Sequence, residues 1–492
     1  MPESRSGITR FARRQMVGVL LAFLAGIGGF WWSTLDQAAP PIGVVIITLD
    51  TTRADRLPAY GFMDATMPHL DRLAREGVVF DQATSVAPLT LPAHASLFTG
   101  LFPPAHRVRD NADRPLSSEH STLAETLKQQ GFRTAAFVGS VVLDADRGLS
   151  QGFDDFRGVA TANASEHLSG PPRRRRGDEV ITDAIRWIDS VHDDSRFFVW
   201  AHLYDPHRPY DPPEPFRSQY SDPYVAEIAF ADAQIGRLLE ALDRRTLLNR
   251  TIVVVAADHG ESLGDHGERD HGIFVYESVL RVPLIMRVPG VAPRRVADVV
   301  RLVDVMPTVL DLLGVPCPPI NGASLVGMLH GKPQQVELEA YSESQYPLRF
   351  GWSPLRALRA GRYKLIEAPR PELYDLERDP FEERNLYEQR RDVARAFSQR
   401  LLTLDGSVLA RRRDPGSDPI PASDLQHRLA SLGYVGSGPY TTPATHHDLP
   451  DPKDCIDVVS GTPRPSCANT RPGSWPVPIG QLFVKGPPGS TR

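Results

Sequence analysis

Three apolar runs of the chain each end in polar residues of the kinds that bind metal ions. These residues are Asp50, Asp205, His207, Asp258 and His259. Carboxylate oxygens and imidazole nitrogens together are suitable ligands for a divalent cation. A single aspartate at the end of a strand is often the cap of the next helix, but the combination favours a metal site. We predict one bound divalent ion, with manganese, zinc, calcium and magnesium as the alternatives.

The stretch TLPAHASLFTG, residues 90–100, places a hydroxyl in front of a small, apolar, helix-like run. As a helix cap, Thr90 would accept a hydrogen bond from the first turn, and Pro92 would lie where its missing N–H costs nothing. As a nucleophile, it would lie at the positive end of a helix, where anions bind. Metal coordination activates such a weak nucleophile. We predict that Thr90 both begins the helix and attacks a phosphorus or sulfur centre beside the metal.

Strand-like and helix-like runs alternate from residue 42 onward and must position these side chains. The runs PIGVVIITLD, RFFVWAHLYD and RTIVVVAAD are almost continuously apolar, which is typical of strands that are covered on both faces. Helix-like runs such as YVAEIAFADAQIGRLLEALDRR lie between them. The alternation predicts an α/β fold with a mostly parallel sheet flanked by helices. Ligands bind at the carboxyl ends of such strands, so the polar residues should converge at one edge.

The character of the sequence divides the rest of the chain into segments. Residues 43–334 form the predicted main domain. Residues 335–436 contain a hairpin-like run, a turn-rich run and a helix-like run, which predict a small C-terminal α+β subdomain. Residues 437–492 are rich in Pro, Gly, Ser and Thr, and we expect them to form a largely disordered tail.

The N-terminus has the pattern of a membrane anchor. Residues 1–15 are basic, and residues 16–35 carry no charge and contain two adjacent tryptophans. The uncharged segment is just long enough to cross a hydrocarbon core of about 30 Å, and its basic flank belongs on the cytoplasmic side. A cleaved signal peptide is the alternative, but no clear cleavage site precedes the linker at 36–42. We expect a single-pass protein of the cell membrane whose main domain lies on the extracytoplasmic, periplasmic side.

The composition is that of a globular protein. The chain has 492 residues, of which 41% are hydrophobic, and a formal net charge of −5. These values are not those of a disordered chain, and they give no support to nucleic-acid binding, which would require a basic face. On the extracytoplasmic side Cys455 and Cys467 could form a disulfide, which would leave Cys317 over.

Several stretches of the chain resemble the sulfatase branch of the alkaline phosphatase superfamily, in family order. They include VVIITLDTTRADRLPAYG, TLPAHASLFTGLFPPAHRVRDN, YDPHRPYDPP, AADHGESLGDHG and HGIFVYESVLRVPLI. The resemblance implies an alkaline-phosphatase-like α/β core, a small C-terminal subdomain and ester hydrolysis at a metal-bound nucleophile, Thr90. The metal ligands that it implies are Asp50, Thr90, Asp258 and His259. His207 and His271 match positions whose side chains contact the transferred group or protonate the leaving oxygen.

The chain departs from the sulfatase pattern around the nucleophile. Sulfatases that make formylglycine carry Cys-or-Ser-x-Pro-x-Arg here, whereas residues 90–94 are Thr-Leu-Pro-Ala-His, so the oxidisable residue is absent and His94 replaces Arg. Two lysines that would balance a sulfate are also missing, one of them at Gly272. A Thr nucleophile is instead similar to phosphodiesterases, phosphonate hydrolases and phospho-group transferases of the superfamily. We predict that His94 and Asn111 bind the substrate, Asn111 as a hydrogen-bond donor; the alternative for Asn111 is that it shapes a turn.

These observations predict a membrane-anchored, metal-dependent hydrolase that cleaves a phosphate or sulfate ester of a small molecule, glycan or lipid through Thr90. One alternative is a transferase that passes the phospho-group to a lipid or glycan alcohol. Another is a non-catalytic member that binds an anion, against which the retention of a nucleophile argues. A second metal ion held by Asp205, His207 and His271 is chemically possible, although Asp-x-His after a strand equally suits a substrate-binding turn.

Overall fold

A mixed β-sheet forms the centre of the computed structural model, which describes residues 41–159, 174–192, 194–334, 336–409 and 449–459. These residues belong to one compact unit, Pro41–Arg492. The predicted cytoplasmic segment, the predicted membrane anchor and nearly all of the linker lie outside the described residues. Within the described residues, none of the helices is both long and apolar enough to cross a bilayer.

Nine strands of the described residues form the central sheet. They are β1 (Gly43–Leu49), β2 (Val78–Thr84), β3 (Arg133–Val138), β4 (Asp155–Arg157), β5 (Phe197–Leu203), β6 (Thr251–Ala257), β7 (Arg281–Val282), β8 (Leu284–Arg287) and β9 (Arg294–Arg301). Their order is β4-β3-β5-β1-β6-β8-β2-β7, and β9 pairs with β2. The pairs from β4 to β6 and the β2–β9 pair are parallel, whereas β8 is antiparallel to β6 and β2. The predicted mostly parallel sheet is therefore confirmed.

The three middle strands of the sheet bring their carboxyl ends to one edge. Every residue of β1, β5 and β6 is buried, which explains their continuous apolar sequence. Leu49 lies opposite Leu203 on one side and Ala257 on the other, in parallel register. The residues that follow, Asp50 after β1 and Asp258 after β6, therefore emerge side by side.

Helices flank the sheet. They are α1 (Pro68–Glu76), α2 (Thr90–Thr99), α3 (Pro103–His106), α4 (Leu123–Gln129), α5 (Gly177–Asp189), α6 (Phe216–Gln219), α7 (Pro223–Arg244), α8 (Glu277–Leu280), α9 (Val305–Leu312), α10 (Val326–Leu329), α11 (Arg391–Leu409) and α12 (Pro452–Val459). Local sequence explains where several of them begin. Thr122 and Glu125 form a reciprocal capping box at the start of α4, and Asp222 accepts a hydrogen bond from Tyr224 N at the start of α7.

A second, antiparallel sheet follows the central one along the chain. Its strands are β10 (Ala340–Ser344), β11 (Leu355–Ala360), β12 (Tyr363–Glu367) and β13 (Glu372–Asp375). Lys364 of β12 is buried, with Nζ 3.0 Å from Glu277 Oε1 and 2.8 Å from Glu382 Oε1. We call these three residues the Lys364 cluster. Because Glu277 is the first residue of α8, the cluster ties the small sheet to the segment that follows His271.

Part of the predicted disordered tail is helical, and for this part the expectation is wrong. Helix α12 places Cys455 and Ile456 in the hydrophobic core. The Pro/Gly-rich sequence around this helix gave no sign of it. The burial of Cys455 and Ile456 stabilises the helix, and not a local periodicity of apolar residues. Cys455 is disulfide-bonded, whereas Cys317 is free and exposed. Cys467, the predicted partner of Cys455, lies outside the described residues.

Candidate active site

Asp50, Asp258 and His259 meet at the carboxyl edge of the central sheet, as predicted. All three side chains are buried, and each offers a ligand atom that lies within 4.8 Å of the other two. His259 Nε2 is 3.8 Å from Asp50 Oδ1 and 3.5 Å from Asp258 Oδ2. The equal register of β1 and β6 produces this arrangement, because it ends both strands at the same level.

The hydrogen bonding of these residues leaves acceptor atoms unsatisfied at the centre of the cluster. Both carboxylate oxygens of Asp50 and Oδ2 of Asp258 are buried without a hydrogen-bond partner among the described residues. Asp258 Oδ1, by contrast, accepts from His259 N at 2.8 Å and from Thr51 N at 3.3 Å. His259 Nδ1 lies 2.9 Å from the Gly260 carbonyl oxygen and donates to it, so the Nε2 lone pair faces the carboxylates.

These unsatisfied atoms fit a divalent cation. Two carboxylates that lose their hydration need positive charge nearby, and burial raises the pKa of Asp50 to about 7. Two oxygen donors and one nitrogen donor form a ligand set that manganese, zinc and magnesium accept. The chemistry of the donor set therefore agrees with the predicted divalent metal ion.

Thr90 is the first residue of helix α2, and its hydroxyl faces the three candidate metal ligands. Leu89, with extended backbone, occupies the N-cap position, and no side chain of the cap residue bonds to the first turn. Thr90 Oγ1 lies 3.3 Å from His259 Nε2, and the side chain is buried. The prediction that Thr90 begins the helix is therefore confirmed, whereas its alternative as a helix cap is wrong, because its hydroxyl points to the site and not back along the helix.

Asn111 performs the capping instead. Its Oδ1 accepts a hydrogen bond of 2.8 Å from the Leu91 backbone N–H in the first turn of α2. Asn111 Nδ2 is buried and has no hydrogen-bond partner among the described residues. One end of the amide thus fixes the helix that carries Thr90, and the other end is an unpaired donor among the described residues; its contact with the substrate stays a prediction.

His94 lies one helical turn after Thr90, with its ring held by protein groups. Its Nδ1 donates to the Thr90 carbonyl oxygen at 2.7 Å, and its Nε2 lies 3.0 Å from Thr48 Oγ1. The ring is fully buried, with its centroid 5.4 Å from that of Trp200 and 5.0 Å from that of His202. Burial lowers the pKa of His94 to about 3, so it is neutral. The predicted substrate contact of His94 is not supported, because both ring nitrogens already have protein partners.

His207 and His271 both border the cluster. The centroid of the His271 ring is 4.5 Å from that of His259 and 5.1 Å from that of His207. His271 Nε2 is buried and has no hydrogen-bond partner among the described residues. Burial lowers the pKa of His271 to about 4. Sequence alone pointed to these two histidines, and the structure brings them together beside the metal ligands.

The residues considered for a second metal ion, Asp205, His207 and His271, do not form a group of close ligand atoms in the part of the chain that the structure describes. Asp205 Oδ1 accepts a hydrogen bond of 3.1 Å from Gly177 N at the start of α5. Among the residues that the structure describes, the cluster of Asp50, Asp258 and His259 is the one group of three suitable side chains with ligand atoms close enough to share an ion. Asp205 therefore serves the start of a helix that precedes it in the chain, and not the next helix, as the simpler interpretation of a single aspartate at a strand end would have it.

Three residues of the site were not anticipated, and one of them is His202, whose Nε2 lies 3.3 Å from Asp50 Oδ2. Glu261 contacts His271, with Oε1 3.1 Å from Nδ1, and Thr48 lies between His94 and His202. An acidic residue inside the motif DHGE was a signal for Glu261, since charge is rarely placed in a buried loop without a partner. Thr48 gave no signal, because a threonine inside an apolar strand is ordinary.

The comparisons with known proteins identify the family of this chain. The sulfatase family model matches residues 43–315, and a second model, described as N-sulphoglucosamine sulphohydrolase, C-terminal, matches residues 264–406. The ulvan-active sulfatase of Formosa agariphila is 27% identical over 405 residues, covering 72% of this chain and 79% of that protein. The choline-sulfatase of Rhizobium meliloti is 27% identical over 441 residues, covering 71% and 83%.

A solved structure is similar across most of the fold. The phosphonate monoester hydrolase of Agrobacterium radiobacter superimposes with a TM-score of 0.63 at 22% identity, covering 77% of this chain and 99% of that one. This likeness concerns the fold. The sulfatase model alone spans more than half of the 492 residues and includes every predicted ligand and the nucleophile position, so the chain belongs to the sulfatase family.

Proposed function

We propose that this protein is a metal-dependent hydrolase that transfers a phosphate or sulfate group from an ester to Thr90 and then to water. Membership of the sulfatase family supports an ester hydrolase of the sulfatase or phosphonate monoester hydrolase type. One observation carries the proposal further: Thr90 Oγ1 lies 3.3 Å from His259 Nε2, within the buried cluster of unsatisfied carboxylates. A hydroxyl that served only the helix would have no reason to lie there.

Each side chain around Thr90 has a role in this reaction. A divalent cation held by Asp50, Asp258 and His259 would supply positive charge to the nucleophile and to the transferred group. Asn111 Nδ2 donates to a non-bridging oxygen, and the first turn of α2 adds the positive end of its dipole. His271 Nε2 exchanges a proton with the leaving oxygen. The near-complete burial of these side chains keeps water from competing until the leaving group has gone.

The residues around the nucleophile favour phosphorus over sulfur. Thr90 cannot be converted to formylglycine, and a simple hydroxyl ester of phosphate is regenerated by water. The position of a family lysine is Gly272, which has φ +107° and whose added Cβ would lie 3.2 Å from Tyr346. A lysine at this position would be strained by the backbone and obstructed by the tyrosine ring, so its charge is missing for a structural reason.

We place this activity on the extracytoplasmic side of a membrane, with the chain anchored by residues 16–35. The basic flank of the uncharged segment supports this orientation. The disulfide at Cys455 supports an oxidising compartment. Separation of cell membranes from soluble fractions, followed by protease treatment of intact cells, tests both points. Recovery of the protein in the cytoplasmic soluble fraction would contradict them.

The activity is tested with the full-length protein after removal of bound metal and reloading with manganese, zinc, calcium or magnesium. The substrates are an aryl sulfate, an aryl phosphate monoester, a bis-aryl phosphate diester and an aryl phosphonate. We expect turnover of a phosphorus ester that is lost in Thr90→Ala and partly kept in Thr90→Ser, which retains a hydroxyl. Intact-mass analysis should detect the transferred group on wild-type protein and not on Thr90→Ala.

Three outcomes would contradict parts of the proposal. Turnover of the aryl sulfate alone would reverse the preference for phosphorus. Equal turnover by Thr90→Ala would remove Thr90 as nucleophile. A product that forms only when a lipid or glycan alcohol is added would identify a transferase.

A further inference from the structure

The two histidines beside the metal ligands differ in the group that holds Nδ1. His207 Nδ1 lies 2.6 Å from the Arg208 carbonyl oxygen, a neutral acceptor. His271 Nδ1 lies 3.1 Å from Glu261 Oε1, a carboxylate. A carboxylate behind an imidazole fixes its tautomer and stabilises the imidazolium that forms when the ring takes up a proton. A carbonyl dipole fixes the tautomer but supplies no net charge.

Glu261 is itself held firmly in place. Its side chain is fully buried, and its second oxygen, Oε2, accepts a hydrogen bond of 3.0 Å from the Tyr210 hydroxyl. Its backbone carbonyl accepts from Arg53 at 3.1 Å. Both carboxylate oxygens therefore have partners, and the one that faces His271 cannot rotate away without losing Tyr210. The Nε2 of His271 is left buried and without a hydrogen-bond partner among the described residues.

We propose that Glu261, supported by Tyr210, is the positioning residue through which His271 exchanges a proton with the leaving oxygen. This inference rests on the proposed ester hydrolysis. It assigns a role to Glu261 and Tyr210, which the sequence did not single out. Glu261 and Tyr210 do not touch the substrate in this arrangement; they act through His271.

The proton balance of the two steps is complete. In the first step Thr90 Oγ1 bonds to the phosphorus or sulfur, its hydroxyl proton going to solvent, and the bond to the leaving oxygen breaks. That oxygen keeps the electron pair and takes a proton that the unprotonated His271 Nε2 has first accepted from solvent. In the second step water attacks the Thr90 ester, the bond to Thr90 Oγ1 breaks, and this oxygen takes a proton from solvent. The attacking water gives a proton to His271 Nε2, which passes it to solvent, so the ring returns to the first state with Nε2 unprotonated.

The test compares two aryl phosphorus esters that differ only in the leaving group. A 4-nitrophenolate leaves without protonation, whereas a phenolate needs the proton. We expect Glu261→Gln to lower kcat/KM for the phenyl ester by about 100-fold, within the usual range for proton transfer, and to leave the 4-nitrophenyl ester nearly unchanged. Tyr210→Phe should act in the same direction by about fivefold, the loss of one hydrogen bond.

Glu268 offers a matched control for the same substitution. It is a buried glutamate of the same loop, bonded to Ser262 Oγ at 3.0 Å and to Ile273 N at 2.7 Å. Because these bonds do not involve His271, we expect Glu268→Gln to change the two esters by equal factors. An equal loss on both esters in Glu261→Gln would overturn the inference and leave the proposed hydrolysis standing. So would a selective loss on the phenyl ester in His207→Gln that is absent in Glu261→Gln.

If neither ester is hydrolysed, that result counts against the proposed function. A second measurement then still tests the role of Glu261. Nitrogen NMR of the full-length protein labelled in histidine assigns His271 as the signal that is lost in His271→Gln. We expect the proton on Nδ1 and an unprotonated Nε2. A proton on Nε2 with an unprotonated Nδ1 would overturn the role of Glu261.

Discussion

Replacement of Asp50 by Asn should change how the stability of the metal-free protein depends on pH. In the unfolded chain Asp50 ionises near its ordinary pKa of 3.8, whereas burial raises the pKa in the folded protein to about 7. Between these values the unfolded state has lost a proton that the folded state retains. Raising the pH from about 4 to about 7 therefore lowers the stability of the wild-type protein, and above pH 7 this contribution is constant.

The size of the effect follows from the shift. A displacement of about three pH units corresponds to about 4 kcal/mol, at ~1.4 kcal/mol for each unit. Asp50 is fully buried, so solvent does not screen this cost. The Asp50→Asn variant has an amide that does not ionise, so it escapes the loss. A divalent cation should offset the loss in wild-type protein only, by about 2.7 kcal/mol at a concentration about one hundred times its Kd.

Urea unfolding of chelator-treated protein at pH 4.5 and pH 8 measures the difference. We expect the free energy of unfolding of Asp50→Asn relative to wild type to rise by a few kcal/mol between the two values. Comparing the two proteins removes the contributions of other buried acids, since both retain them. Parallel pH dependence in the two proteins, or equal stabilisation of both by manganese, would refute the reasoning.

Two further changes test other parts of the structure. Asn111→Ala should cost about 1 kcal/mol of stability because the Leu91 N–H loses its acceptor, and it should also lower turnover; Asn111→Asp keeps the acceptor and should lower turnover alone. Equilibrium unfolding beside the ester assay separates the two effects, and full activity of Asn111→Asp would contradict the donor role of Nδ2. Lys364→Met takes the cation of the Lys364 cluster away from Glu382 and Glu277, of which Glu277 keeps its ion pair with Arg359 at 2.6 Å, and should cost about 3 kcal/mol, measured by urea unfolding. A loss below about 1 kcal/mol would place the cluster at the level of a surface ion pair.

The metal ligands were predictable from sequence because the strands that carry them are regular. Apolar runs identify β1 and β6, parallel pairing puts their ends at one edge, and the polar residues at those ends are Asp50, Asp258 and His259. No long-range detail is needed for this step. The strand β9 gave no comparable signal, because its sequence RRVADVVR is half charged and only its pairing with β2 makes it a strand.

The residues around the start of α2 were harder to predict because their roles depend on small rotations. Whether Thr90 caps the helix or begins it depends on the backbone of Leu89, which is extended at φ −146° and ψ 135°. Whether His94 faces the substrate or the interior depends on the rotation of α2 about its axis. That rotation is set by packing against Trp200, more than one hundred residues away in the chain. Local sequence contains neither piece of information.

The Lys364 cluster limits how this protein can be altered by recombination. Its charges come from the small sheet, from the turn after it and from the segment that follows His271, and they are paired only when these parts are present together. Exchanging the small sheet for that of a relative without matching cations would leave the Glu277 carboxylate uncompensated in the interior. The small sheet therefore cannot be exchanged between relatives independently of the central sheet. Diversity in substrate preference would have to arise in the loops at the carboxyl edge, where insertions leave the buried charges paired.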